Sequence, residues 1–82
     1  MNQELAILKG RLAGLKDDRM RIETAIQADL AAVQTMLTGW RVTPIANINI
    51  EAAHHHLQNA ANLKKTLMDV REDIRKIEED LA

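Results

Sequence analysis

Three consecutive histidines, His54, His55 and His56, carry the most distinctive chemistry in this 82-residue chain. Glu51 precedes His54 by three positions, which is the Glu-x-x-His spacing of the carboxylate and imidazole ligands in di-iron helical bundles. Neighbouring residues on a helix point about 100° apart, so the three imidazoles cannot bind one ion together. The expected metal ligands are instead Glu51 and His54, which share a helix face, together with the adjacent His55. Such a site would also need a second copy of the motif, because Asp29 is the one carboxylate in the neighbouring part of the other helix.

Two other interpretations of the same histidines remain open. His56 falls in the apolar seam of its helix, where it is expected to pack near Leu30, with His54 and His55 beside it at an interface or in solvent. We favour this packing role. Alternatively, the cluster forms a pH-sensitive interface, because imidazole titrates near neutrality.

Composition argues against catalysis and against several classes of partner. The chain has no Ser or Cys to act as a nucleophile and no Gly-rich phosphate loop, so we predict that it is not an enzyme and that it uses no cofactor. Its 11 basic and 12 acidic residues give a net charge of −1, which provides no electrostatic basis for binding nucleic acid. No signal peptide or long apolar run is evident, so we expect a cytoplasmic protein without a membrane span.

The elements that position these side chains are expected to be helices. Ala, Leu, Ile, Glu, Lys, Arg and Gln make up most of the chain, and most of these residue types lose little freedom in a helix. Three glycines and one proline leave too few turns for an all-β fold. The sequence therefore predicts a single all-α domain over residues 1–82.

In the first half of the chain, seam residues recur in steps of three and four, which is typical of a heptad repeat. The spacing predicts helix 1 over about residues 2–39, with Asn2 as its cap. Arg19 takes one seam position, where it either fixes the register or extends outward. Two consecutive steps of four, at Ile22, Ile26 and Leu30, predict a stutter. The predicted seam is Leu5, Leu8, Leu12, Leu15, Arg19, Ile22, Ile26, Leu30, Val33, Leu37 and Trp40.

The second half has an uninterrupted apolar seam. It predicts helix 2 over about residues 49–81, with Asn49 as its cap because Glu51 then lies in the first turn, and with Asn47 as the alternative cap. The predicted seam is Asn49, Ala53, His56, Ala60, Leu63, Leu67, Val70, Ile74, Ile77 and Leu81.

Between the helices, about residues 40–48 form the predicted bend. Gly39 suits a helix C-terminus, and Pro44 disfavours helix at the residue before it. Val42, Ile48 and Ile50 alternate with other residues, so a short extended segment is the alternative there. The two helices are expected to pack antiparallel, as a coiled-coil hairpin.

The distribution of charge predicts where this hairpin associates. Residues 25–62 contain only three charged side chains, and their apolar residues extend beyond the seam, which indicates more than one neighbouring helix. We expect a dimer in which two bend halves form a four-helix bundle, with a tetramer as the alternative. The predicted interface residues are Ala25, Ala28, Ala32, Met36, Trp40, Ile50, Leu57 and Ala61.

The function expected from these features is that of a small self-associating structural or adaptor protein that mediates protein–protein contacts. A metal- or pH-responsive bundle that uses the histidines is one alternative. A small regulatory protein that binds a protein, or less favourably a nucleic acid, through its bend half is the other.

Overall fold

The computed structural model describes residues 2–82, and within that range the chain is a helical hairpin without strands. Helix α1 spans Asn2–Leu37, a 3₁₀ turn spans Ile45–Asn47, and helix α2 spans Ile50–Leu81. The predicted all-α hairpin is therefore confirmed. The predicted capping side chain of Asn2 lies outside the part that the structure describes.

The bend owes its shape to a few specific residues. Gly39 adopts a left-handed conformation with a φ of 71°, which ends α1 two residues earlier than the sequence indicated. The Thr43 hydroxyl donates a 2.8 Å hydrogen bond to the Gly39 carbonyl. Asn49 caps α2 as predicted, since its side-chain oxygen accepts a 3.1 Å hydrogen bond from the Ala52 N–H. Instead of the alternative extended segment, a 3₁₀ turn precedes Ile48, which has extended backbone angles.

Helix α2 presents the predicted seam to its neighbour. Its deeply buried side chains are Ala53, Ala60, Ile74 and Ile77, and they are the only buried residues within 3–82. Half-buried residues occupy the remaining seam positions from His56 onward: His56, Leu63, Leu67, Val70 and Leu81. The seam therefore keeps its alternating steps of three and four to the end of the helix.

Helix α1 departs from the predicted seam beyond Ile26. Its half-buried residues follow an unbroken heptad through Asp29, whereas Leu30 and Leu37 are exposed. The predicted stutter is thus wrong, and Trp40 is also outside the seam. Asp29 is accommodated because it has hydrogen-bonding partners on α2. The half-buried set is Leu8, Leu12, Leu15, Arg19, Ile22, Ile26, Asp29, Val33 and Met36, with Ala32 beside it.

The hairpin is a thin rod that measures 65 × 16 × 15 Å. Two helices in contact along one stripe form a narrow layer of contacts and leave most of each helix surface exposed. Neither helix has a segment, within residues 2–82, that is both long and apolar enough to cross a bilayer.

Candidate interaction surfaces and the interhelical polar cluster

Asp29, His56 and Asn59 form a polar cluster that links the two helices. Nδ1 of His56 lies 2.9 Å from Asp29 Oδ1, and Asn59 Nδ2 donates a 2.7 Å hydrogen bond to Asp29 Oδ2. His56 and Asn59 are one turn apart on α2, so each carboxylate oxygen has its own partner. Only 13% of the Asp29 side chain is exposed. The polar cluster therefore fixes the position of α1 along α2 at this level.

The polar cluster keeps the Asp29 carboxylate ionised. The hydrogen bond from His56 lowers the pKa of Asp29, the bond from Asn59 lowers it further, and partial burial opposes both effects. Because an ionised carboxylate only accepts hydrogen bonds, the His56 Nδ1 that faces it must carry a proton. In this cluster both oxygens of the Asp29 carboxylate have hydrogen-bonding partners, and the neighbouring α1 seam positions, Ile26 and Val33, are apolar.

The three histidines have different environments. His56 is half-buried in the seam, as predicted, but its polar partner is Asp29. His54 and His55 are exposed, with the His55 ring 6.1 Å from the His56 ring in an edge-to-face arrangement. Within residues 2–82 no three His, Asp or Glu side chains are grouped so that they could hold a metal ion. A site built from Glu51, His54 and His55 would therefore need ligands from another chain.

The seam divides the hairpin surface into two sides. In heptad notation, positions a and d form the seam, position e flanks a, and position g flanks d. Because the helices run in opposite directions, the e positions of both lie on one side and the g positions on the other. A surface groove lined by Arg19, Glu23, Leu67 and Arg71 illustrates this, since these residues occupy a and e positions of the two helices.

Near the bend, the a/e side is apolar, and we call its four exposed side chains, Leu30, Leu37, Ile50 and Leu57, the leucine face. Each of them occupies an e position and is between 37% and 53% exposed. The a positions between them are also apolar: Ile26 and Val33 are half-buried, and Ala53 and Ala60 are buried. No charged residue occupies an a or e position of either helix within residues 25–62.

The opposite side, near the bend, contains the polar cluster. The predicted interface residues are consequently distributed over several surfaces. Ala25 and Ala32 lie on the side of the polar cluster, Met36 is half-buried in the seam, and Ala28 is on the outer surface of α1. Ile50 and Leu57 belong to the leucine face, and Ala61 lies at its edge. Sequence reasoning missed Leu30 and Leu37 as surface residues because it assigned them to the seam.

The a/e side becomes charged toward the open end of the hairpin, where the chain termini lie. There its e positions, together with Arg19 in the seam, provide five basic and two acidic side chains. These residues are Lys9, Lys16, Arg19, Lys64 and Arg71, with Glu23 and Glu78. Arg19 is half-buried, with its Nε 3.7 Å from Glu23 Oε1. The same side of the rod is thus apolar at one end and positive at the other.

The tip of the bend is a second exposed apolar region. Trp40, Val42 and Ile45 are all exposed, and the guanidinium of Arg41 lies 5.4 Å from the centre of the Trp40 ring. A cation held over the face of an indole is a favourable contact. Trp40 was expected either to contact a partner or to close the end of the bundle, and in this chain it is 57% exposed.

The open end has a separate ionic cluster on α2. Arg75 forms ion pairs with Glu72 and with Glu79, and Glu72 is the main cause of the raised pKa of the guanidinium. The same pairing lowers the pKa of Glu72. All three side chains are about half exposed or more, so the cluster has little effect on stability.

No protein-family model, curated protein or solved structure matches this chain. Its function is therefore inferred from geometry and composition. The leucine face and the polar cluster are the two features on which that inference depends, because one is an uncovered apolar surface and the other positions the helices beneath it.

Proposed function

We propose that this chain acts by self-association, as a small structural or adaptor element in which two hairpins join through their bend halves. The observation that carries the proposal is the amount of surface that one hairpin leaves uncovered. A compact monomer of 9.2 kDa exposes about 4,900 Å², whereas this chain exposes 6516 Å². The surplus of about 1,600 Å² exceeds the roughly 800 Å² that each partner buries in a standard interface.

The extended shape supports the same conclusion. The radius of gyration is 18.7 Å, while a compact domain of this length has about 12 Å. Only four side chains within residues 3–82 are buried, and two of them are alanines. A second layer of helices would supply the burial that one hairpin lacks.

The location of the apolar surface supports association through the bend half. Of the eleven large apolar side chains that are exposed in the described residues, seven lie between Leu30 and Leu57. Only three charged residues fall within 25–62. Large apolar patches with few charges are typical of surfaces that bind other proteins.

Sedimentation equilibrium between 1 and 100 µM tests the proposal. We expect a mass of twice 9.2 kDa at the upper concentrations. A folded, cooperative monomer throughout this range would contradict self-association. A tetramer would still support self-association and would change only the number of copies.

The adaptor role requires a further partner, and it has its own test. In affinity purification, the tagged wild-type chain and a tagged variant changed only in its charged open half should both recover the same partner. A variant that no longer dimerises should recover less of that partner. Equal recovery by dimeric and monomeric forms would show that partner binding does not depend on self-association, and recovery by neither form would contradict the adaptor role.

The alternatives have less support in the geometry. A metal-responsive bundle needs ligands from a second chain, as described above. Binding of nucleic acid would need a basic stripe with interleaved aromatic residues. The positive a/e side of the open half contains no Trp, Tyr or Phe, because the only one in the sequence is Trp40, at the bend.

A further inference from the structure

We propose that the surface for self-association is the leucine face, and that its occupant is the leucine face of a second copy in antiparallel orientation. This inference rests on the self-association proposed above, and it specifies the surface, the partner and the arrangement. The charged open halves then extend in opposite directions from a central four-helix bundle.

The shape of the leucine face makes it complementary to itself. Leu30 and Leu37 form a ridge on α1, and Ile50 and Leu57 form a second ridge on α2. Between the ridges the surface is recessed, because the α2 seam residues there are alanines, whose side chains are small. A twofold-related antiparallel copy lays its α1 ridge along the first α1 ridge and its α2 ridge along the first α2 ridge, so the four apolar ridges together cover the recessed surface between them.

Charge determines the orientation of the second copy. If two hairpins packed with their open ends together, the a/e sides of both open halves would face each other. Each has five basic side chains against two acidic ones, so that overlap would bring together two net positive surfaces. The antiparallel overlap keeps the open halves apart and brings the uncharged a and e side chains of the two bend halves into contact.

The position of the twofold axis follows from the leucine face itself. The midpoint of Leu30 and Leu37 lies between residues 33 and 34, and that of Ile50 and Leu57 lies between 53 and 54. An axis at this level places Leu30 of one copy opposite Leu37 of the other. With a hairpin 65 Å long, the dimer would be about 100 Å long at a helical rise of 1.5 Å per residue.

The polar cluster remains outside this interface. Asp29, His56 and Asn59 lie on the d/g side, so docking on the leucine face does not remove water from them. Using the d/g side instead would bury the ionised Asp29 more deeply, which is unfavourable for a charged group. The location of the polar cluster is thus an independent reason to assign the interface to the other side.

Paired glutamine variants test the surface. Leu30→Gln should raise the dimer dissociation constant at least tenfold, measured by sedimentation, because it places an amide at the centre of an apolar contact. Met68→Gln is the matched control, since Met68 is 51% exposed and Leu30 is 48% exposed. Met68 lies in the open half, so its variant should dimerise like wild type. Gln and Leu have similar helix propensity, and circular dichroism confirms that each variant folds.

The outcomes separate the two proposals. A monomeric wild type would reject self-association and this inference together. A dimeric wild type whose dissociation constant is unchanged by Leu30→Gln and by Leu57→Gln would reject the leucine face and leave self-association intact. Equal weakening by Leu30→Gln and Met68→Gln would also reject this surface.

A distance measurement tests the orientation. The chain has no Cys, so Asp18→Cys allows one spin label per copy at an exposed position on the d/g side. At 1.5 Å per residue, the antiparallel dimer places the two labels about 50 Å apart. A parallel dimer would place them within about 30 Å, because helices pack 8–10 Å apart. A distance in the shorter range would overturn the antiparallel arrangement.

Discussion

Asp29 Oδ1 lies 2.9 Å from His56 Nδ1 across the seam of the hairpin. Both residues occupy positions where a heptad repeat normally has apolar side chains. By occupying its position, Asp29 leaves Leu30 on the surface. One polar contact therefore determines both the alignment of the helices and the composition of the leucine face.

Replacement of Asp29 by Asn should destabilise the hairpin at neutral pH and have less effect in acid. The pKa of Asp29 is lower in the folded chain than its ordinary value of 3.8, so the ionised form stabilises the fold at pH values above about 4. That stabilisation is lost as the pH falls through the lowered pKa. We expect the difference in urea midpoint between wild type and Asp29→Asn to be largest at pH 7 and to shrink by pH 2.5. Asp18→Asn, at an exposed carboxylate, is the control, and an equal effect of both changes would contradict the role of the polar cluster.

Truncation of Ile74 to Ala should cost about 2–5 kcal/mol of unfolding free energy, as for other buried aliphatic residues. Ile74 is 3% exposed, and it is one of the few side chains that the two helices bury by themselves. Ile7→Ala, at a residue that is 63% exposed, should change stability by no more than about 0.5 kcal/mol. Chemical denaturation at one fixed protein concentration measures both changes. Similar losses for the two variants would show that α1 buries Ile7 against a partner.

Glycine substitutions should have opposite effects at the bend and in the helix. Gly39→Ala should destabilise the chain by about 1 kcal/mol, because a residue with a Cβ is strained at a φ of 71°. Gly10→Ala should stabilise it by up to about 1 kcal/mol, since Gly10 is inside α1 and an added Cβ would meet no atom within 4 Å. Thermal unfolding of the two variants checks these signs. A destabilising Gly10→Ala would indicate that another chain packs closely at that position.

Removal of metal should leave the thermal stability of the chain unchanged. Within residues 2–82 no three His, Asp or Glu side chains are grouped as ligands, so we expect no bound ion in a single hairpin for a chelator to remove. We expect the same melting temperature with EDTA and with added Zn²⁺. A rise with Zn²⁺ that disappears in Glu51→Ala and His54→Ala would instead support a site shared between copies.

Helix α2 could be predicted in detail because the same heptad spacing of apolar residues continues along its whole length. Its seam has no charged residue, so the step of three or four is unambiguous from Ala53 to Leu81. The cap is less clear, since Asn47 and Asn49 are both short polar residues before the helix; Asn49 is preferred because Glu51 then lies in the first turn. The local pattern and the tertiary packing agree in this helix.

Helix α1 was harder to predict because two seams compete after Ile26. A step of four leads to Leu30, and a step of three leads to Asp29. Hydrophobicity favours Leu30, whereas the structure selects Asp29, because His56 and Asn59 supply hydrogen bonds that no analysis of α1 alone reveals. The available signal was that Asp29 and His56 both interrupt apolar repeats at matching levels of an antiparallel hairpin.

The rod shape has a practical consequence for attaching other molecules. Residues 2 and 82 lie at the same end, and the bend lies at the far end of a body 65 Å long. A fluorophore, tag or fused enzyme on either terminus would sit several nanometres from the bend, too far to obstruct it. In the antiparallel dimer proposed above, cargoes attached to the two copies would be held at opposite ends of a body about 100 Å long.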